Sequence, residues 1–492
     1  MRDRKIVEKR LGALCGGAAL LVSMLTCISS AHASEDPGLS RPPPSVLGAA
    51  ELPSVDMDAI PDEYLITFGW DADSKSQGID LLLSAHQIDV ATTEATWLKS
   101  VLKRLGAEIA IEYRQVLVGF SAHLPPAALA FARRVELESH GFVQVNENRV
   151  VRMFSGSTST PTGIDRVDQR LLPLGQTFNA RQTGEGVQVY IVDSGIHPSE
   201  EFSGRLGDGV NEVGDRFGTD DCEGHGTHVA GIIGSRSYGI ASKVTLHPIR
   251  VFACATHTST NKVIAGIEWL TAYHLAKHPG ESAVVNMSLG RATYPKLNEA
   301  VRKSVAKGIT YVVAAGNDDG ADACHVSPAG EATAITVGSV DPETDKRAAT
   351  SNIGKCLDLF APGENILSVG IGNDQNPVTL SGTSMAAPHV AGVAALFLQG
   401  QRGAAPAEVL AAILKAADDE TTSGWCGIDH RGKDSPDVLL HWGSGSGDGI
   451  VDAIPIPAPA ICGKPATSLR ARDKARVPLA RSSARPFSPS RF

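Results

Sequence analysis

The spacing of apolar residues changes character along the chain and divides it into regions. From about Pro53 to Met153 the pattern is mixed. EYLITF (63–68) alternates apolar and polar residues as a half-buried strand does, and TEATWLKSVLKRLGAE (93–108) carries helical spacing. EYRQVLVGFSAHL (112–124) predicts two short strands meeting near Gly119. PPAALAFARRVEL (125–137) predicts a helix that starts on proline, and GFVQVNENRVVR (141–152) closes the unit as a strand. The stretch 71–92 gives no clear element. A small α+β unit over 53–153 follows.

From about Gly163 to Leu440 the apolar runs become nearly continuous: VQVYIVD, VTLHPIRV, SAVVNMSL, ITYVVAAG and ATAITVG. Helical stretches such as KVIAGIEWLTAYHLAKH and PKLNEAVRKSVAKG lie between them. Strands without polar alternation, separated by helices, predict a doubly wound α/β fold with a mostly parallel central sheet covered on both faces. In such sheets active groups collect at the carboxyl ends of the strands.

The remaining segments carry no such period. Residues 34–52 and 154–162 are rich in Pro, Ser, Thr and Gly and read as linkers, the second a natural place for proteolytic nicking. Residues 443–492 run from Gly/Ser-rich through Pro-rich to Arg-rich and predict a disordered tail. At the other end, Arg2, Arg4, Lys5, Lys9 and Arg10 precede the apolar LGALCGGAALLVSMLTCI and then Ala31-His32-Ala33. This is the layout of a secretory signal cleaved near Ala33, over residues 1–33. The shortish apolar run argues against a membrane anchor, and Met24-Leu25-Thr26 argues against lipid attachment at Cys27.

Composition sharpens this reading. Of 492 residues 42% are hydrophobic, enough for a sizeable core, and 50 glycines suit an α/β enzyme with tight turns. A net charge of -9 speaks for solubility and gives no hint of nucleic-acid binding. Export also changes the meaning of cysteine. Six remain after residue 33: Cys222, Cys254, Cys324, Cys356, Cys426 and Cys462. An even number in an oxidising compartment favours disulfides, and the absence of a CxxC pair disfavours a metal site.

Four residues carry the chemistry. Asp193 ends the apolar run VYIV; alone it would be a turn residue. His225 sits in GHGTHVAG at a probable helix start, where flanking glycines permit close approach. His228, three residues on, reads as a framework residue. Ser384 lies in LSGTSMAAPHVAGVAALFL, before a helix too apolar for the surface. Alone it would be a helix cap. Asn317 ends YVVAAGN at a strand's carboxyl end, where an amide can donate to an oxyanion. Together they suit one reaction. A serine hydroxyl is a weak nucleophile until a histidine takes its proton, and the histidine needs a carboxylate to fix its tautomer.

DSG at Asp193, GHGTHVAG around His225, AAGN at Asn317 and GTSMAAPHVAG around Ser384 resemble the subtilisin family of serine peptidases, and more closely its proteinase K and aqualysin-like branch. The resemblance spans about 163–440. It implies a subtilisin-like fold and a broad endopeptidase acting through an acyl-enzyme. Asp193 would be the orienting acid, His225 the general base, Ser384 the nucleophile and Asn317 the oxyanion donor. IPDEYLITF, VLVGFSAHLPPAALAFARR and FVQVNENRVV are similar to the family's inhibitory propeptides. That implies a self-inhibited zymogen in which residues 53–153 are released by cleavage near 153–162.

Further expectations rest on the same resemblance. It implies disulfides Cys222–Cys254 and Cys324–Cys356, which would leave Cys426 and Cys462. It implies structural calcium at Asp358 with the carbonyls of Ala332 and Ala334, and a weaker site near Asp165, Asp168 and Gln169. No cofactor is implied for catalysis. Ser288, Leu289 and Gly290 resemble the strand that pairs with a peptide substrate. Arg291 stands where the family usually has glycine, so the width and charge of the cleft depart from its pattern. The whole is read as a secreted monomer without stable membrane insertion, acting on proteins or peptides.

Overall fold

In a computed structural model the described residues are 59–69, 83–139, 142–153, 162–175, 177–178, 180–371, 377–417 and 427–443. The expected signal, the first linker, residues 154–161 of the processing linker, residues 444–492 of the C-terminal tail, Cys426 and Cys462 lie outside them. The first unit comprises β1 (Ala59–Phe68), α1 (Leu83–Arg104), β2 (Glu108–Tyr113), β3 (Gly119–His123), α2 (Pro126–Glu138) and β4 (Val143–Met153). Helix α1 begins ten residues before the helical pattern read from the sequence, so part of the uninterpreted stretch is its first turns. Its N-terminal half, LSAHQIDVA, mixes polar residues into the apolar spacing and hides the period. Helix α2 starts on proline as predicted.

The larger unit holds α3 (Gly163–Val167), β5 (Val187–Asp193), β6 (Val210–Asn211), α4 (His225–Gly234), β7 (Thr245–Arg250), β8 (His257–Ser259), α5 (Thr260–Lys277), β9 (Ser282–Met287) and β10 (Leu289–Ala292). It continues with α6 (Pro295–Val305), β11 (Thr310–Ala314), β12 (Val326–Ser327), β13 (Ile335–Val340), β14 (Leu359–Pro362), β15 (Ile366–Ser368), β16 (Val378–Leu380), α7 (Thr383–Gly400) and α8 (Pro406–Ala417). Seven of these strands form one sheet in the order β14-β13-β11-β9-β5-β7-β6, and every pairing in it is parallel.

The continuous apolar runs follow from burial on both faces. Along β5, Val189 and Ile191 pack with α4, α7 and α8, including Val229, Val390 and Ile413. The alternate residues Tyr190 and Val192 pack with α5 and α6, through Val263, Ile264 and Leu297. A strand side chain alternates faces, so two apolar faces demand an unbroken apolar sequence.

The first unit follows the other rule. Ile66 and Phe68 of β1 pack with Phe120 of β3 and with Leu98, Ala128 and Ala132 of α1 and α2. Leu65, on the opposite face, joins the cluster under α5 and α6 with Tyr113, Leu117 and Val151. The back of this antiparallel sheet therefore rests on the larger unit. The two units also share backbone: β4 pairs with β1, then continues between β8 and β10.

Candidate active site

Asp193 is the last residue of β5 and is fully buried. Its two carboxylate oxygens lie 2.8 and 3.0 Å from Nδ1 of His225, and one also accepts the Ser194 N–H at 2.8 Å. His225 opens α4. Gly224, just before it, takes φ +107, a conformation that glycine adopts without steric cost. A Cβ on Gly226 would meet the Gly195 carbonyl oxygen and lie 3.1 Å from Asp193 Cβ. The two glycines therefore let the helix approach the Asp193 turn closely enough for its histidine to reach the carboxylate.

One residue that the sequence gave no reason to single out organises this loop. Asp221 accepts from the backbone N–H groups of Glu223 and Gly224 at 2.9 and 2.8 Å, and from Thr227 N–H and Oγ1 at 2.9 and 2.6 Å. It satisfies donors that the start of a helix leaves unpaired. Glu223 adds a second carboxylate, accepting the His225 N–H at 2.9 Å. Burial works against a charged imidazole here, but the charge and hydrogen bond of Asp193, with Glu223 and Asp221 behind them, win. The His225 pKa is raised above its ordinary value. Burial in turn pushes the Glu223 carboxyl up.

Arg250 ends β7 opposite Asp193 in register. Its fully buried guanidinium donates to the Ser194 carbonyl at 3.1 Å and grips Asp215 at 2.5 and 2.9 Å. Disulfide Cys222–Cys254 ties the loop before His225 to the segment after β7, with Cys222 Sγ 3.4 Å from Arg250 Nη2. Cys324–Cys356 bridges the segments before β12 and β14. Each closes a 32-residue separation, which constrains the unfolded chain by about 3–4 kcal/mol on a chain-entropy account.

Ser384 is the second residue of α7 and fully buried. Its Oγ donates to the Ser288 carbonyl at 3.1 Å, while Ser288 Oγ donates to the Ser384 carbonyl at 2.7 Å. Nε2 of His225 is buried without a hydrogen-bond partner, so the bond from serine to histidine is not made in this arrangement. Such bonds are often loose before substrate arrives. The Asn317 side-chain oxygen accepts from Thr383 N–H at 3.0 Å and from Thr383 Oγ1 at 2.9 Å. A backbone N–H can only donate, which fixes the amide's orientation and leaves its Nδ2 as the donor. His228 is set apart from this chemistry. Its Nε2 lies 3.0 and 2.9 Å from the carbonyls of Ile366 and Val378, bracing β15 and β16, and burial holds its pKa down to about 3.

Leu289 and Gly290 of β10 face Met153 and Arg152 of β4, and β8 flanks β4 on its other side. Arg291 also reaches this strand, donating to the Val150 carbonyl at 3.4 Å. Asp358 is buried and accepts the Thr336 N–H at 3.0 Å, two residues beyond Ala334. A carboxylate and two main-chain carbonyls, as expected at Asp358, Ala332 and Ala334, make an oxygen-only donor set of the kind a hard cation takes. Among the described residues no group of three His, Cys, Asp or Glu side chains is arranged to hold a metal. Near the weaker expected site, Asp165 accepts the Thr177 N–H and Gln169 pins its own loop through Gly175, Leu171 and Pro173.

Comparison with known proteins points to one family. The sequence profile of the Subtilase family matches residues 184–438. An extracellular serine proteinase of Thermus sp. (strain Rt41A) is 39% identical over 429 residues, covering 87% of this chain and 98% of its own. Alkaline serine exoprotease A of Vibrio alginolyticus is 36% identical over 414 residues, covering 83% of this chain and 74% of its own. The crystal structure of a cold adapted subtilisin-like serine proteinase superposes with a TM-score of 0.51 at 40% identity, covering 58% of this chain and 98% of that one. Among the described residues no helix is long and apolar enough to cross a membrane. With a parallel sheet of the subtilisin type and relatives at this level over most of its length, the chain belongs to the subtilase family of serine-type endopeptidases.

Proposed function

We propose that Asp193, His225 and Ser384 form the catalytic triad of a secreted endopeptidase made as a self-processed zymogen. His225 Nε2 takes the Ser384 proton as Oγ attacks a peptide carbonyl, and returns it to the leaving amine. Asp193 fixes the imidazole with its proton on Nδ1 and stabilises the imidazolium. Asn317 Nδ2 and the Ser384 N–H, at the positive end of α7, stabilise the oxyanion. Water then hydrolyses the acyl-enzyme. The observation that carries this reading is the Asp193–His225 pair at 2.8 Å, with the second ring nitrogen left unpartnered. A serine-directed phosphonate is expected to label wild type but not Ser384→Ala; an unlabelled wild type defeats the reading.

Residues 53–153 serve, in this proposal, as an intramolecular inhibitor and folding aid, after a signal over 1–33 and a linker over 34–52. Two features support it. Strand β4 occupies the groove between β8 and β10, where a peptide substrate would add a strand. Its register ends with Met153 opposite Leu289, one residue from the Ser288 carbonyl that receives the Ser384 hydroxyl. Cleavage would therefore fall just beyond, within 154–162, freeing a peptidase of residues 163–442 that precedes the tail of 443–492. Ser288, Leu289 and Gly290 then take the main chain of protein substrates in the same way.

The interface is held by reciprocal caps. Glu268 of α5 accepts the backbone N–H groups of Arg114 and Val116 at 2.5 and 2.6 Å, and also that of Gln115. Asn148 of β4 answers by accepting from Thr260 Oγ1 and the Asn261 N–H at the start of α5, at 2.8 and 3.1 Å. Polar ties of this kind hold a docked unit yet survive exposure to water when it leaves. Structural calcium belongs to the same proposal. Asp358 and the carbonyls of Ala332 and Ala334 would hold the ion, which would brace the turn before β13.

A further inference from the structure

Arg291 is a large cation in the wall of the groove, and it is buried. Only 6% of it is exposed. Its Nε donates to the Ala292 carbonyl at 2.6 Å, which fixes the side chain along its own strand. Its guanidinium carbon lies 5.7 Å from the centre of the Tyr294 ring, within cation–π range. Held in this way, Nη1 donates to the main-chain carbonyl of Val150, at a long 3.4 Å. Tyr294 extends the same ledge, because its hydroxyl donates to the Glu147 carbonyl at 2.8 Å.

These two side chains thus meet β4 through its carbonyl oxygens, three residues apart, upstream of the backbone pairing at Leu289 and Gly290. Main-chain carbonyls occur in every peptide. A donor aimed at them measures how far a bound chain extends rather than what side chains it carries. A residue without a side chain at position 291 could make neither the stack nor the bond.

We infer that Arg291, stacked on Tyr294, forms a distal subsite that binds the main-chain carbonyl of an extended peptide several residues before the cut. This deepens the peptidase reading and rests on it. The site selects substrates by length on their amino-terminal side, and the preferred substrate is an extended segment of a protein rather than a short peptide. At 3.4 Å the bond to the carbonyl is a weak one, and the guanidinium is held in place for it by the Ala292 carbonyl and the Tyr294 ring.

The test uses the secreted, processed enzyme and two chromogenic peptides with the same residues next to the cut, one with two and one with eight residues before it, long enough to place carbonyls opposite both Arg291 and Tyr294. For wild type, kcat/KM is expected to favour the longer peptide. In Arg291→Gly that preference falls about fivefold, the loss expected for one ordinary hydrogen bond of about 1 kcal/mol, and the loss appears in KM. Arg291→Lys, which keeps the charge but not the planar stack, lies between the two. Tyr294→Phe keeps the ring and the stack, loses one hydroxyl, and gives a smaller fall in the same direction. An unchanged length preference in both Arg291→Gly and Tyr294→Phe overturns the proposal, even if their Tm falls, because a purely structural role would lower stability without touching the ratio. A wild-type enzyme that cuts neither peptide overturns the peptidase reading and this inference with it.

Discussion

The parallel sheet and the antiparallel sheet of this molecule are assembled on different terms. In the parallel sheet β5, β9, β11 and β13 are buried along their whole length, and both faces are sealed by helices. Asp193 and the turn to Asn317 sit at the ends of such strands, so moving either means disturbing two cores. The antiparallel sheet has one face packed on α1 and α2 and the other laid on the larger unit. It is attached through Leu65, Tyr113, Val116 and Leu117, one shared strand and a set of polar caps. The first arrangement holds its strand ends rigidly; in the proposed zymogen the second would let a unit dock firmly and still come away. The difference teaches that placement of catalytic groups and control of access to them are separable in this fold.

The comparison breaks first where the rigid sheet holds the proposed triad. Asp193→Asn removes the acceptor that fixes the His225 tautomer and is expected to lower kcat about 10⁴-fold with the fold intact, in steady-state kinetics. Asn317→Ala removes one oxyanion donor and is expected to cost about 10²–10³-fold in kcat with little change in KM. A fall in KM-limited binding instead would place Asn317 in the cleft rather than at the oxyanion.

The docked sheet answers to a different substitution. Glu268→Ala leaves the backbone N–H groups of 114–116 without their shared carboxylate. It is expected to weaken the hold of the first unit about 10- to 100-fold, seen as a shorter lag before activity emerges from the processed complex. Catalysis by the freed enzyme should be unchanged, because Glu268 touches nothing near Ser384. An unchanged lag would mean that the apolar contact alone holds the unit.

The smallest expected effect is electrostatic. His225 must be neutral to accept a proton. Its pKa is raised above 6.5 by Asp193, Glu223 and Asp221 against the opposing effect of burial, so kcat/KM should fall as pH drops through a midpoint above 6.5. Glu223→Gln removes one stabilising charge from the imidazolium and should move that midpoint down. The pH profile of the two proteins checks the direction.

The sequence made the candidate catalytic groups legible because each sits in its own local signal. Asp193 ends an apolar run, His225 lies between glycines, and Ser384 precedes a helix too apolar for the surface. The two-faced strands were legible for the same reason, since burial writes itself directly into composition. What escaped are residues whose meaning depends on distant partners. Asn148 caps a helix that starts 112 residues later, and Glu268 caps a loop more than 150 residues earlier. Asp221 stands beside Asp220 and Glu223 in sequence, and only its four bonds set it apart from them. Short strands such as β8 and β10 are defined by the chain lying between them and carry no period of their own. Helix α8 is legible in its own sequence, because Pro406 and the apolar spacing of AEVLAAILKAA mark it.

The central claim is that Ser384 cuts its own chain just beyond the strand lying in its groove. N-terminal sequencing and intact mass of purified wild type and Ser384→Ala test it most directly. The account predicts that wild type separates into two pieces with a new N-terminus within 154–162, while Ser384→Ala stays joined across that segment. A wild type that remains joined there, or a Ser384→Ala protein that separates at the same bond without added protease, would contradict it.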